Sequence, residues 1–371
     1  MGKRKSGIIK ILVIINILVI IPLLVSYFSA YISPAKNWYF AFFGLAYPIF
    51  LLCNVIFVVL WLITWKKYIF LSLISIFLGW NILHAAYPFH WPLKQAESGI
   101  KLKLISYNVN LFWGNNRTES ISEIKDSISS FLLSQKADVI CLQECYMKGP
   151  DYTETLKSYS RTIGMKYFYF KNYRNFWDKK KIDAIMIFSR FPIADTGYFK
   201  YPDKSAYAIF TDVIHHHDTI RIYNLHLESI RFGNDDYSFY SNLTDPMKEK
   251  PPLKEGTKKM FWKLRRAFIL RAKEVDNLKN HIASCPYPVI IAGDFNDTPP
   301  SYTYHQLNEN FNDAYVTAGN EFLGSTYAGR FPAFRIDYIL YSDRFKAVKY
   351  KKMEIDLSDH YPISASFVYN P

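Results

Sequence analysis

Three apolar stretches fill the first 87 residues, and they restrict what this chain can fold into more than anything else in it. From Ile8 to about Tyr87 the sequence is almost wholly apolar. Ile11–Ile32 and Trp38–Trp65 carry no charge, and the second has aromatic residues at both ends, as at a bilayer interface. Tyr68–Ala86 is interrupted by Asn81 and His84. A helix crosses the hydrocarbon of a bilayer with about 20 apolar residues. A single stretch of this kind also fits a buried core helix, but three in succession predict transmembrane helices. A cleaved signal peptide accounts for the first alone, which is long for that role and lacks a small-residue cleavage site. The expected organisation is a membrane region over 1–87 with about three transmembrane helices, a polar, Pro-containing linker over 88–99, and a separate domain over 100–371.

Lys and Arg in the short loops give an orientation. Lys3, Arg4, Lys5 and Lys10 precede the first span, Lys66 and Lys67 separate the second from the third, and the intervening loop has only Lys36. The positive-inside rule puts the N-terminus and the Lys66–Lys67 turn in the cytoplasm. Three spans then place the large domain on the non-cytoplasmic side. If the third segment only lies on the membrane, that domain faces the cytoplasm; the first arrangement is the expectation. The first 100 residues hold eight Lys or Arg against the single acid Glu97, which is +7 of the net +13 and leaves +6 for the other 271 residues. Much of the basic character is therefore a topology signal, not a nucleic-acid footprint. The local clusters Lys179–Lys181 and Lys258–Arg271 read as solvated faces.

Four cysteines make no disulfide framework and show no metal-ligand spacing. Beyond the linker, short β-rich runs alternate with amphipathic stretches. Glu119–Gln135 has helical apolar spacing, and a long helix is expected over about Thr257–Ala283. Tyr207–Ile214 and Thr219–His226 read as a hairpin turning at His217-Asp218. The polar segment Arg231–Gly256, with Pro251-Pro252, reads as a substrate-facing lid or as a disordered stretch.

The chemistry lies in polar residues that close these apolar runs. Asn108 ends Lys103–Tyr107, Glu144 follows Val139–Leu142, and Asp294 follows Val289–Ala292. His226, Asp337, and the pair Asp359-His360 complete the set. Strand ends at one rim of a sheet are where a rigid scaffold gathers a polar site. Carboxylate and amide oxygens from Glu144, Asn108 and Asp359 suit Mg²⁺ or Mn²⁺. His215-His216-His217 is not read as a metal site, because adjacent strand residues point to opposite faces. Phosphoester hydrolysis needs a cation, a base for water, and donors to the phosphoryl oxygens. Asp294 and His360 are the candidates for activating water. Asp337 can hold the His360 imidazole, and Asn296 and His226 can donate to phosphate. Glu144 is the strongest metal candidate, since a buried acid needs a cation or another partner. Each has a plainer reading: Asn108 as a turn cap, Asp337 paired with Arg335, Ser358-Asp359-His360 and Gly293–Asn296 as turns.

Taken together, Tyr107-Asn108, Leu142–Glu144, Phe188–Pro192, Asn224–Leu227, Gly293–Asn296, Arg335–Tyr338 and Ser358–His360 resemble the endonuclease/exonuclease/phosphatase superfamily, with its pancreatic-deoxyribonuclease-like fold, over about Lys101–Val368. The resemblance implies a four-layer α/β/β/α sandwich of two mixed sheets with helices outside, and a Mg²⁺-dependent phosphodiesterase or phosphatase site. It implies Glu144 as metal ligand assisted by Asn108 and Asp359, and His226, Asp294, Asn296, Asp337 and His360 as the catalytic group. It also puts Arg190, within Phe188–Pro192, against substrate. It names no substrate: nucleic acid and a phospholipid head group both stay open, and nothing calls for an obligate protein partner. The alternatives are a membrane receptor or scaffold that keeps the fold without turnover, and a membrane module in which Asn54, Asn81 and His84 have a function of their own.

Overall fold

The computed structural model of the chain describes residues 2–89, 99–115, 119–149, 151–173, 181–200, 206–244, 253–329 and 334–370. The expected linker lies almost wholly outside the described residues. The apolar region forms helices α1 (Gly2–Tyr27), continued by a 3-10 turn at Phe28–Ala30, then α2 (Tyr39–Leu45), α3 (Tyr47–Ile63), α4 (Ile69–Leu78) and α5 (Trp80–Ala86). One helix, Gly7–Ala30, is long and apolar enough to cross a membrane, and up to three are if each bent pair counts as one span. The expected uninterrupted spans Trp38–Trp65 and Tyr68–Ala86 are thus corrected to bent pairs: α2 meets α3 at 57° and α4 meets α5 at 76°. Pro48 stands in the first turn of α3, a position that suits a residue without an N–H but cannot prolong α2. Gly79 separates α4 from α5.

Polar side chains inside this region tie its helices together. Asn16 Nδ2 donates to Ser72 Oγ at 2.6 Å and Asn16 Oδ1 accepts from Trp61 Nε1 at 2.9 Å. The Asn54 amide donates to Phe50 O and Val19 O. In an apolar surrounding such bonds satisfy groups that would otherwise be costly. Asn54 is thus a joint between helices.

The rest of the chain runs β1 (Ile100–Asn108), α6 (Ile121–Ser134), β2 (Val139–Lys148), α7 (Tyr152–Thr162), β3 (Tyr167–Asn172), β4 (Lys181–Ser189), β5 (Ile193–Lys200), β6 (Ala206–His215), β7 (Asp218–His226), α8 (Asn234–Thr244), α9 (Leu253–Ala283), β8 (Val289–Asp294), α10 (Tyr302–Asn308), β9 (Asn312–Asp313), α11 (Ala314–Ala318), β10 (Asp337–Tyr341), β11 (Phe345–Lys352) and β12 (Ile363–Tyr369). One sheet has the order β11-β12-β1-β2-β4-β3 and the other β5-β6-β7-β8-β10-β9. Between them lies a core that includes Leu104, Val139 and Ile187 from the first sheet and Ile209, Ile290 and Ile339 from the second. The outer face of the first sheet packs on Ile124, Ile128 and Leu132 of α6 and Leu156 of α7. The outer face of the second packs on Val275, Leu278 and Ile282 of α9 and Leu307 of α10. The fold is therefore an α/β sandwich of four layers, with helices outside two mixed sheets.

Local chemistry explains several boundaries. Ser120 caps α6 in a reciprocal capping box with Glu123. The hairpin turns at His216-His217, one residue earlier than expected, with His216 at φ +57°. His215 stays in β6, buried, with Nδ1 sharing a 2.6 Å hydrogen bond with the Tyr369 hydroxyl. The four cysteines are free. Part of the polar segment read as a lid or disorder is helix α8, and α9 begins at Leu253, ahead of the expected Thr257; Pro251-Pro252 lies outside the described residues.

The two regions meet closely. Ser29 Oγ donates to Pro300 O at 2.5 Å, and Arg335 Nη2 donates to Ala85 O at 2.8 Å. Phe42 of α2 stacks on Phe261 of α9 with ring centroids 4.8 Å apart.

Candidate active site

Two parallel strand pairs deliver the site to one rim. β1 runs parallel to β2, and β7 runs parallel to β8. Asn108, His226 and Asp294 close β1, β7 and β8, and Glu144 lies inside β2, one residue past the Gln143 that pairs with Asn108. β10 runs antiparallel to β8 and starts where β8 ends, so Asp337 pairs directly with Asp294.

β2 does not deliver Glu144 by regular alternation. Its register with β4 slips between Leu142 and Cys145, and Glu144 sits at φ +51°, the mark of a β-bulge. Before the bulge, Val139 and Cys141 face the other sheet; after it, Cys145 and Met147 face the helices. Two consecutive residues consequently turn toward the second sheet. Gln143 Nε2 donates to Asn224 Oδ1 at 2.6 Å, and Glu144 Oε1 comes within 3.4 Å of His226 Nε2. At Gly293 (φ +138°) an added Cβ would stand 2.1 Å from Leu225 O, so only glycine lets β8 approach β7 here.

Asp294 is the hub. Its Oδ1 accepts the Asn296 backbone N–H at 2.8 Å, and its Oδ2 accepts from Asn296 Nδ2 and Asn108 Nδ2, both at 3.1 Å. Asn108 Nδ2 also reaches Glu144 Oε1 at 3.4 Å, so one amide bridges two carboxylates. Asp337 Oδ2 accepts from His360 Nδ1 at 2.9 Å, and His360 Nε2 faces Asp294 Oδ2 at 3.8 Å. Asp294, Asp337 and His360 are all buried and offer ligand atoms within 4.8 Å of one another. Arg335 does not compete for Asp337: its Nη1 donates to Asp313 at 2.6 Å. The Ser358 turn is real and belongs to the site. Its hydroxyl donates to Asn108 O at 2.8 Å and accepts the His360 N–H, while Asp359 lines the adjoining cavity. His226 Nε2 is buried and has no hydrogen-bond partner among the described residues.

Burial and charge set the protonation states. Burial works against a charged His360, but Asp337 and Asp294 outweigh it and hold the imidazole well above the ordinary histidine range. Burial pushes Asp294 up. Burial, then the charge of Asp359, push Glu144 up to about 7. Burial lowers His226 despite Asp294. Four carboxylates (Glu144, Asp294, Asp337, Asp359) thus face one imidazolium, an excess of negative charge that suits a divalent cation. The oxygen donors suit a hard one. A protonated His360 bonded to Asp337 is a poor ligand for a cation.

One expected residue is elsewhere. Arg190 is exposed and its N–H donates to Asp138 O at 3.0 Å. β4 is antiparallel to β2, so the end of β4 lies beside the start of β2, at the rim away from Glu144. The assignment of Arg190 to substrate is corrected accordingly. The basic run Lys258–Arg271 also differs from a solvated face. Arg271 is buried, donating to Asp297 and to Glu228 O, while Lys263 pairs with Asp236 and Arg266 with Glu228. Residues given no role from sequence are Gln143 and Asn224, whose sequence signal is a large amide inside an apolar run. Tyr173 and Tyr327, whose rings lie edge-on to His226 and His360, were also missed and carry no such signal. The site opens into a cavity of about 570 Å³ whose walls include Arg231, Phe232, Tyr237 and Met260, so the expected lid segment does line it.

Residues 105–360 match the model of a family described as the endonuclease/exonuclease/phosphatase family, and residues 9–86 match one described as a domain of unknown function. No curated protein matches the chain. Among solved structures, it is similar to an endonuclease/exonuclease/phosphatase from Beutenbergia cavernae DSM 12333 at 13% identity, with 73% of this chain and 72% of that one covered and a TM-score of 0.52. It is likewise similar to an endonuclease/exonuclease/phosphatase family protein from Bacteroides thetaiotaomicron at 17% identity, with 74% and 97% covered and a TM-score of 0.50. At these identities the likeness concerns the fold.

Proposed function

This chain belongs to the endonuclease/exonuclease/phosphatase family, and on that premise we propose that it is a membrane-anchored phosphoester hydrolase that uses a divalent cation, Mg²⁺ or Mn²⁺. The observation that carries the reading is His360, fixed through Nδ1 by Asp337 at 2.9 Å while Nε2 faces Asp294 at 3.8 Å. Glu144 and Asp359 would hold the cation, with Asn108 fixing Glu144. When bound, the cation neutralises phosphoryl charge and favours a nucleophilic water. Asp294, raised by burial and aligned by Asn296 and Asn108, accepts the proton of the attacking water. His360, kept cationic by Asp337, stabilises the charge that develops on the phosphoryl oxygens. His226, with a free ring nitrogen turned into the site, donates to a phosphoryl oxygen. Water oxygen bonds to phosphorus, one P–O bond to an alcohol breaks, and that alcohol leaves with a proton.

The membrane reading rests on the Gly7–Ala30 helix, on the basic residues Lys3, Arg4, Lys5 and Lys10 near the N-terminus, and on Lys66 and Lys67 between the second and third apolar stretches. Residues 1–87 serve as a multi-pass anchor and 100–371 as the catalytic domain, on the side opposite Lys66 and Lys67. The test is hydrolysis of bis(p-nitrophenyl) phosphate by the full chain in detergent. Mg²⁺- or Mn²⁺-dependent turnover that disappears with chelator, and falls by about 10²-fold or more in Asp294→Ala and His360→Ala, is expected. Near wild-type rates in both variants refute the assigned roles.

A further inference from the structure

The active-site cavity does not end at its polar rim. Besides Arg271, Asp297 and Thr298, its wall carries an apolar group, Leu45, Ile230, Met260, Leu264 and Phe268, none of which can bind a phosphate. Leu45 is not part of the sandwich; it is the last residue of α2, at the bend into α3. A second cavity, of about 360 Å³, lies on the far side of Leu45, Thr298 and Phe334, and these three residues line both. Its outer wall includes Pro48 and Ile49 of α3 and Leu323. Ile49 is 63% exposed and Leu323 is 58% exposed. From Ile49 an exposed apolar stripe continues along α3 through Leu52, Ile56, Val59 and Ile63. Residues at that spacing share one face of a helix. Phosphate-binding groups, the shared residues Leu45 and Phe334 with Thr298 beside them, and an exposed apolar helix surface thus follow one another along this wall.

We propose that the site takes an amphiphilic phosphoester whose hydrocarbon chain runs from the phosphate past Leu45 and Phe334 to the bilayer-facing side of α3. The proposal rests on the hydrolase reading above and names its substrate class. A nucleic-acid strand needs unpaired cations along its backbone. Among the described residues, the cations on this side of the cavity have acidic partners: Arg231 and Arg266 share Glu228, Lys263 holds Asp236 and Arg271 holds Asp297. An alkyl chain needs only apolar walls, and binding strengthens with each buried methylene.

The experiment compares p-nitrophenyl methyl phosphate with p-nitrophenyl dodecyl phosphate, using the full chain in dodecyl maltoside micelles with Mg²⁺ or Mn²⁺. The wild type is expected to show a kcat/KM at least about ten-fold higher for the dodecyl ester. In Leu45→Trp, which fills the passage, the dodecyl-to-methyl ratio falls about ten-fold or more. Leu323→Glu, at the exposed outer mouth and undemanding for folding, lowers the same ratio. Reading each variant against the wild type in the same micelles cancels partitioning of the ester. Turnover of both esters without preference, a ratio that neither variant moves, or preference for a single-stranded oligonucleotide overturns this proposal and leaves the hydrolase reading standing. No turnover of either ester overturns both.

Discussion

Gln143 and Asn224, one from each sheet, meet across the core with Gln143 Nε2 donating to Asn224 Oδ1 at 2.6 Å. Asn224 Nδ2 in turn donates to Leu142 O at 3.0 Å and Met186 O at 2.7 Å. The carbonyls it reaches belong to Leu142 and Met186, the β2–β4 pair directly before the bulge. Glu144 and His226, the next residue and the next but one along these strands, are thereby held in one frame.

Asn224→Leu removes an acceptor and a two-armed donor while keeping the volume. Two buried carbonyls lose a donor and the Gln143 amide keeps only Ser106 Oγ, and the expected cost is about 3 kcal/mol. Thermal unfolding of the detergent-solubilised chain reads it. An unchanged midpoint would show that the amide bridge is incidental.

Asp337→Asn tests the protonation of His360. Burial favours the neutral ring, but Asp337 and Asp294 overcome it and raise the imidazole above its ordinary 6.5. The stabilisation of the charged ring is fully present below that value and is lost as pH rises through the higher folded-state value. Activity that needs the cation should persist to the same elevated pH. In Asp337→Asn the alkaline limb of the kcat/KM profile moves to lower pH, and activity at neutral pH falls about 10²-fold. A limb that stays in place removes Asp337 from this role.

Glu144, raised from 4.5 to about 7, should couple cation binding to proton release. Its neutral form stabilises the metal-free chain fully below about 4.5, and that contribution is lost as pH rises through about 7. At about pH 6 the carboxyl is mostly protonated, so binding of Mg²⁺ releases close to one proton. Calorimetry in two buffers of different ionisation heat counts it. Glu144→Gln should abolish the release and weaken binding; proton release that survives the substitution assigns it to another group.

Arg190→Ala should change kcat/KM by less than about two-fold, because Arg190 lies at the rim away from Glu144. Phosphodiester turnover measures this directly. A ten-fold loss would place substrate on the wrong edge of the sheet.

The sandwich was legible where polar residues close buried apolar runs, since a strand that ends at a rim must change composition there. Asn108, Glu144 and Asp294 were found that way. The edge strands β5 and β11 were not. β5 has mostly exposed side chains in IADTGYFK, and β11 alternates buried positions with outward lysines, so neither carries a continuous apolar run. Arg190 was misplaced because a motif match fixes neighbours along the chain and says nothing of which end of an antiparallel strand they reach. The membrane spans were read as continuous because hydropathy is blind to direction. Pro48 and Gly79 were visible, but a helix-breaking residue does not by itself give the size of the bend, 57° in one pair and 76° in the other. Helix α8 hid in a polar segment because its apolar positions are few. Tyr173 and Tyr327 owe their place to tertiary contact alone.

The extra residue in β2 gives that strand a phase, like a frame that must be kept along a message. Its count from Val139 decides whether Glu144 looks toward the cation or into the helix layer, whatever side chains fill the intervening positions. Conservative exchanges among Val139–Leu142 should therefore be well tolerated, whereas removal of any one of these residues turns the carboxylate away and silences the site. A deletion scan in which turnover survives would contradict this. The quantity that matters there is length, which no exchange of side chains at single positions alters.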